Sequence, residues 1–83
     1  MEKDIEIYKR IGANVRLIRK TAGLTQKDLA TKCIVDRSKI SDIENGKEDF
    51  MFSTLLAIAK GLGVDVLDFF KPVEEPDSGI QKV

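Results

Sequence analysis

The stretch LTQKDLATKCIVDRSKISDIENGK, residues 24–47, holds two short helical patterns separated by only a few residues. It constrains the fold more than any other part of the chain. Thr25 with Asp28 three positions on is a capping-box-like pair that places an acid at a helix N-terminus, where it is favourable. The helix it opens runs from Gln26 to about Lys32 and buries Leu29 and Ala30. Asp36 caps a second helix through Arg37, Ser38, Lys39, Ile40, Ser41, Asp42, Ile43 and Glu44, held to a core by Ile40 and Ile43. Asn45-Gly46 then turns the chain. Two helices, a tight turn and polar residues leading the second helix form one unit, which the rest of the chain must hold rigid.

The flanking segments supply that support. Between Asp4 and Ala22, the residues Ile7, Ile11, Val15, Ile18 and Ala22 recur at spacings of 4, 4, 3 and 4 and make one apolar stripe. Lys9, Arg16 and Lys20 take the opposite face. Arg19 lies about 40° from the stripe at ~100° per residue, close enough to reach inward. Leu17 is off the stripe and exposed unless another segment covers it, and Gly23 stops the helix. Phe50, Met51 and Phe52 read as core, followed by a fourth helix with Leu55, Leu56, Ile58, Ala59 and Leu62 inward and Gly61 and Gly63 at its end. Asp65, with Asp68 three residues later, opens a fifth short helix carrying Val66, Leu67, Phe69 and Phe70, which Pro72 ends. No strand-like alternation and no repeat interrupts this pattern. The expected architecture is an all-α, compact five-helix domain over residues 1–71, with residues 72–83 a flexible acidic tail.

Composition bears on the partners. At 83 residues with 42% hydrophobic and 34% charged residues, the chain is an ordinary globular domain near the lower limit for a self-supporting core. A second copy is therefore a natural way to bury more surface. The absence of histidine removes the commonest general base and metal ligand, and neither a Gly-rich phosphate loop nor a catalytic acid pair is present. An enzyme, a cofactor and a small-molecule substrate are thus not expected. Cys33 alone allows no internal disulfide and fits a reducing cytoplasm, and no apolar run reaches the ~20 residues of a membrane span. Net charge is zero, yet residues 1–47 carry 11 Lys/Arg against 7 Asp/Glu, and residues 48–83 carry 3 against 7. A basic and an acidic end are expected, the basic one suited to nucleic acid.

Reading a duplex with two short helices requires apolar pins at their crossing and polar side chains leading the second, which enters the major groove while the first crosses the backbone. Leu24, Leu29, Ala30, Val35, Ile40 and Ile43 are the pins, and Arg37, Ser38 and Lys39 lead. Arginine can bind guanine in bidentate fashion, and serine serves several bases. Residues 11 to 70 resemble the phage repressor and Cro family of helix-turn-helix domains. The resemblance is carried by I11-G12, V15-R16, I18-R19-K20, G23-L24-T25-Q26, L29-A30, R37-S38, I40-S41, I43-E44-N45-G46-K47, L55-L56-A57-I58-A59-K60 and L62-G63-V64. Asp36-Arg37 also resembles the controller proteins of restriction–modification systems.

The resemblance implies roles. Gln26 grips a phosphate and braces the recognition helix. Arg37, Ser38 and Asp42 reach base edges with Lys39 between them, and Asn45 and Lys47, with the backbone around Gly46, contact phosphate. Arg19 and Glu44 form a buried pair. Asp42 has a second reading, in which it orients Arg37 or Lys39 without touching DNA. The family's linker glycine is replaced by Ile34, so the turn is strained or differently shaped, and Cys33 stands where leucine is usual and fills core. Two adjacent phenylalanines point to different sides of a helix, so one of Phe69 and Phe70 can seal the core and the other face a partner. Leu17, Val66, Phe69 and Phe70 are the candidate dimer residues. The expected function is sequence-specific binding of double-stranded DNA by a homodimeric transcriptional regulator on a two-fold symmetric operator. The competing expectation is a protein-interaction module, such as an antitoxin or a co-regulator with little DNA binding.

Overall fold

The computed structural model describes residues 2–47 and 50–73, with the side chains of residues 2–4 not included. Helix α1 spans Glu2–Thr21, α2 Gln26–Cys33, α3 Arg37–Glu44 and α4 Phe52–Leu62, and a 3-10 helix spans Val66–Phe70. The expected fifth α-helix is therefore a single 3-10 segment. Asp65 caps it by accepting from the Leu67 amide at 2.9 Å, and the Asp68 amide bonds back to the Asp65 carbonyl at 2.9 Å. Only five residues separate that cap from the extended Lys71, too few to repay the nucleation of an α-helix. The tail expected to be flexible falls mostly at residues 74–83, outside the described residues.

The capping signals at α2 act as read. Thr25 Oγ1 accepts from the Asp28 amide, and Asp28 Oδ2 accepts from the Thr25 amide, each at 3.0 Å. These bonds, the Thr25 amide first, hold the Asp28 carboxyl below the usual carboxylate range. Asp36 occupies the N-cap position of α3 but makes no capping bond with its side chain. The linker turns on Ile34, at φ 56° and ψ 51°, the only non-glycine residue with positive φ among those described.

The core gathers Ile11 and Val15 of α1, Leu29 of α2, Ile40 and Ile43 of α3, Leu55, Ile58 and Ala59 of α4, and Phe69. The α1 stripe is shorter than expected. Ile7 is 45% exposed, and Ala22 is exposed because α1 ends at Thr21 and leaves it in the turn that follows. Leu56 is likewise exposed rather than inward, and of the Phe50–Phe52 cluster only Phe50 is tucked in, edge-on against Tyr8 at 5.4 Å between ring centres. Leu17 is half-buried beside Asp68 of the 3-10 helix and Lys71 and Pro72, which follow it. Cys33 is half-buried against Gly61, where a Cβ would come within 2.9 Å of the cysteine Cβ. Its thiol donates to the Leu29 carbonyl at 3.0 Å, and burial pushes its pKa up. That suits core filling and not a reactive thiolate.

A close approach and a pair of hydrogen bonds fix α1 to its neighbours. Gly12 lies against the end of α3, where any Cβ would run into the Ile43 carbonyl oxygen and come within 3.0 Å of that of Glu44. Buried Asn14 donates through Nδ2 to the carbonyls of Phe69 at 2.7 Å and Lys71 at 2.8 Å. It thereby satisfies one carbonyl within the 3-10 helix and one just past its end, and ties that segment to α1. Among the described residues no helix is long and apolar enough to cross a membrane, and no cluster of His, Cys, Asp or Glu could hold a metal ion.

Candidate nucleic-acid interface

Helix α3 presents its first turn to solvent. Arg37, Ser38 and Lys39 are all exposed, whereas Ile40 and Ile43 are fully buried on the opposite face. That separation follows from helical geometry, since residues three apart share a face. A shallow depression lined by Arg19, Leu24, Thr25, Gln26, Lys27 and Arg37 joins the start of α3 to the start of α2. Arg37 and Lys27 place two cations at this junction.

Beneath it lies a buried bracket. The Arg19 guanidinium donates to Glu44 from Nε to Oε2 at 2.6 Å and from the terminal nitrogen to Oε1 at 3.0 Å, a bidentate pair. Its remaining nitrogen donates to the Leu24 carbonyl at 2.8 Å, at the entry to α2. Gln26 Nε2 donates to the same Glu44 Oε1 at 3.0 Å. One carboxylate on α3 therefore joins α1 through Arg19 and α2 through Gln26. Arg19 and Glu44 are only 7% and 8% exposed, and the hydrogen bond to Glu44 holds the guanidinium pKa above its already high ordinary value. No buried side-chain nitrogen or oxygen among the described residues lacks a partner. The expected Arg19–Glu44 pair is thus present, and the brace assigned to Gln26 is made with the far end of α3.

At that far end the turn after α3 is closed by its own backbone. The amide of Asn45 donates to Ser41, that of Gly46 to Ile43 and that of Lys47 to Asp42, each at 3.0 Å. The amides of residues 45–47, expected to be available to phosphate, are therefore already bonded to α3 carbonyls, and the side chains are left to make contacts. Asn45 Nδ2 leans on Ser41 Oγ at 3.4 Å. Asp42 is exposed and pairs with Lys47, 3.5 Å from Oδ1 to Nζ, rather than with Arg37 or Lys39.

Two residues of α1 without an expected role in these elements pack against the end of α3 and the turn after it. Gly12 sets how closely α1 approaches α3, and a glycine inside an otherwise helical pattern is the signal that marks such an approach. Lys9, assigned to the solvated face of α1, rests its stem on the turn: a Cβ on Gly46 would lie 2.9 Å from Lys9 Cγ. Gly46 has φ +79°, so both conformation and space require glycine. No periodicity connects Lys9 to residues 45–47, because the contact depends on how α1 crosses the end of α3.

Comparison with known proteins places this geometry. A helix-turn-helix family model matches residues 15–69. The immunity repressor of Bacillus phage phi105 is 41% identical over 56 residues, which is 68% of this chain and 39% of the repressor. Thus the chain spans about two fifths of that relative. The control protein C.MunI of a Mycoplasma species is 34% identical over 73 residues, 87% of this chain and 96% of its own length. The solved structure of C.Esp1396I bound to a 19 base pair DNA duplex superposes with a TM-score of 0.70 at 36% identity, covering 77% of this chain and 85% of the other.

Proposed function

This chain belongs to the helix-turn-helix family, and from that membership and the surface of α3 we propose that it is a sequence-specific DNA-binding transcriptional regulator, not an enzyme, that acts as a homodimer on a two-fold symmetric operator. The carrying observation is that Arg37, Ser38 and Lys39 stand exposed at the start of α3 while a buried three-way bracket at Glu44 fixes its other end. In this reading α3 enters the major groove, Arg37 and Ser38 meet base edges, and Gln26, Lys39, Asn45 and Lys47 meet backbone or flanking positions. Asp42 sits between those two sets, accepting from cytosine N4 when released from Lys47. Regulation is by occupancy of the operator, and affinity falls steeply as salt rises.

The dimer surface in this reading lies along α4 and the 3-10 helix. Phe69 is fully buried within the domain and has no surface to offer, and Val66 is half-buried against the core. Phe70 at 37%, Leu67 at 64%, Phe52 at 56% and Leu56 at 45% exposure are the apolar side chains left for a partner. Phe70 and Phe52 line one groove with Ile7, Tyr8 and Ile11. Pairing there sets two copies of α3 about 34 Å apart, one turn of B-form DNA.

Selection of bound sequences from a random duplex library tests the function. A pseudo-palindromic site with half-sites about one helical turn apart is the expected result; absence of any enriched sequence overturns it and leaves a protein-interaction module. Arg37→Ala is expected to abolish preference for the selected site, at a cost of about 1–3 kcal/mol of discrimination, with dimerisation intact. Unchanged target choice in that variant removes Arg37 from base reading.

A further inference from the structure

We propose that Lys9, on α1, is a phosphate-contacting residue of the DNA interface, adding a positive charge at the turn after α3, where that of Lys47 is partly offset by Asp42. The proposal rests on the DNA-binding reading above. The turn's own means of holding a phosphate are largely committed. The three amides of residues 45–47 donate to α3 carbonyls, and the Lys47 ammonium lies 3.5 Å from the Asp42 carboxylate. The next two residues in the chain, Glu48 and Asp49, are acidic. A phosphate approaching here meets a lysine whose charge is already partly cancelled, in a run of sequence that adds negative charge.

Lys9 brings a cation from another element. Its Cγ packs on Gly46, close enough that a Cβ on that glycine would come within 2.9 Å of it, and its Cα lies within 3.3 Å of the same point. The stem is thereby laid across the turn while the residue remains exposed. A long side chain with its stem on the protein and its head in water is the arrangement lysine favours at a surface. That anchor holds Lys9 at the turn that carries Asn45 and Lys47, just beyond the end of α3. Gly46 has two reasons to be glycine, its φ of +79° and the space that Lys9 occupies. The second reason links α1 to the interface directly.

The test compares wild type, Lys9→Gln, Lys9→Arg and Lys47→Gln on the selected operator duplex and on a duplex of random sequence, across a salt series. Glutamine keeps the Cβ and Cγ that rest on Gly46, so an unchanged melting temperature is expected. Lys9→Gln is expected to weaken binding to both duplexes equally, about fivefold near 0.15 M salt, and to lower the slope of log affinity against log salt by about 0.9, the value of one phosphate contact. Lys9→Arg is expected to restore both. If Lys9→Gln matches wild type in affinity and slope while Lys47→Gln is weakened, Lys9 makes no contact and the proposal is overturned. If both glutamine variants match wild type, the whole turn is removed from the interface and the proposal falls with it. A wild-type protein that binds neither duplex overturns the DNA-binding reading itself.

Discussion

Ile34 holds a backbone conformation that a β-branched residue adopts at a cost of roughly 1–2 kcal/mol, at φ 56° and with its side chain 91% exposed. Its burial returns almost nothing to offset that strain. Ile34→Gly is accordingly expected to raise stability by about 1 kcal/mol, read as a higher thermal midpoint; a lowered midpoint would mean that the exposed isoleucine has packing partners. Glu44 presents the opposite case, a side chain on which three elements converge. Glu44→Gln leaves the Arg19 guanidinium buried without its counter-charge, where it is 7% exposed. Breaking a buried pair from one side costs about 3–5 kcal/mol, and the amide oxygen can still accept one bond, so the loss is expected near the lower end. A variant melting like wild type in chemical and thermal unfolding would show that solvent reaches the guanidinium. The pair was legible through the family resemblance and the place of Arg19 beside the α1 stripe. The strain at Ile34 was legible as a departure from glycine, because a positive φ is a property of a single residue.

At the scale of elements, the limits of α2 and α3 follow from local chemistry. Thr25 and Asp28 close a reciprocal cap, and Asn45-Gly46 closes the last turn of α3. How the helices cross is a different matter, set by Gly12. Since a Cβ there meets backbone carbonyls and not flexible side-chain ends, α1 and α3 must separate to admit it. Gly12→Ala is expected to destabilise the fold by about 3 kcal/mol, the upper part of the range for overpacking, despite alanine's better helix propensity. It should also loosen Lys9 from Gly46 and Arg19 from Glu44. Denaturant unfolding checks the first effect, and a variant as stable as wild type would show that the crossing can yield. The 3-10 helix depends similarly on Asn14, which gathers the Phe69 and Lys71 carbonyls. Periodicity cannot reveal that role, since the partner carbonyls lie 55 and 57 positions away.

For the molecule as a whole, apolar surface and charge divide the work. Arg37, Lys39, Lys27, Lys47 and Lys9 are exposed cations on α1, α2, α3 and the turn after it, and Leu56, Phe52, Leu67 and Phe70 remain exposed on α4 and the 3-10 helix. A domain of this length gains from burying such a patch against a second copy. Leu67→Asp places a charge in that patch while leaving the Phe69 core contact untouched. It is expected to shift the protein from dimer to monomer in sedimentation equilibrium and to weaken operator binding by removing the second α3, with the melting of the isolated domain little changed. A dimer that persists in Leu67→Asp would place the partner surface elsewhere, with Leu17 and its neighbours Asp68, Lys71 and Pro72 the next region to test.

The sequence by itself determined where each helix of the two-helix unit begins and ends, which faces of α2 and α3 turn inward, and that Arg37, Ser38 and Lys39 lead the second helix. Caps, turns and periodicity act within about one or two helical turns, so their signals lie in neighbouring residues. Only the tertiary structure decided that Phe69 and not Phe70 seals the core, that Ile7 and Leu56 stay exposed, and that the turn amides are already bonded. The same holds for Gly12 packing against the end of α3 and Lys9 against the turn that follows it. Those outcomes depend on which distant segment covers a surface and how closely two backbones approach. Such facts arise only once the helices have packed.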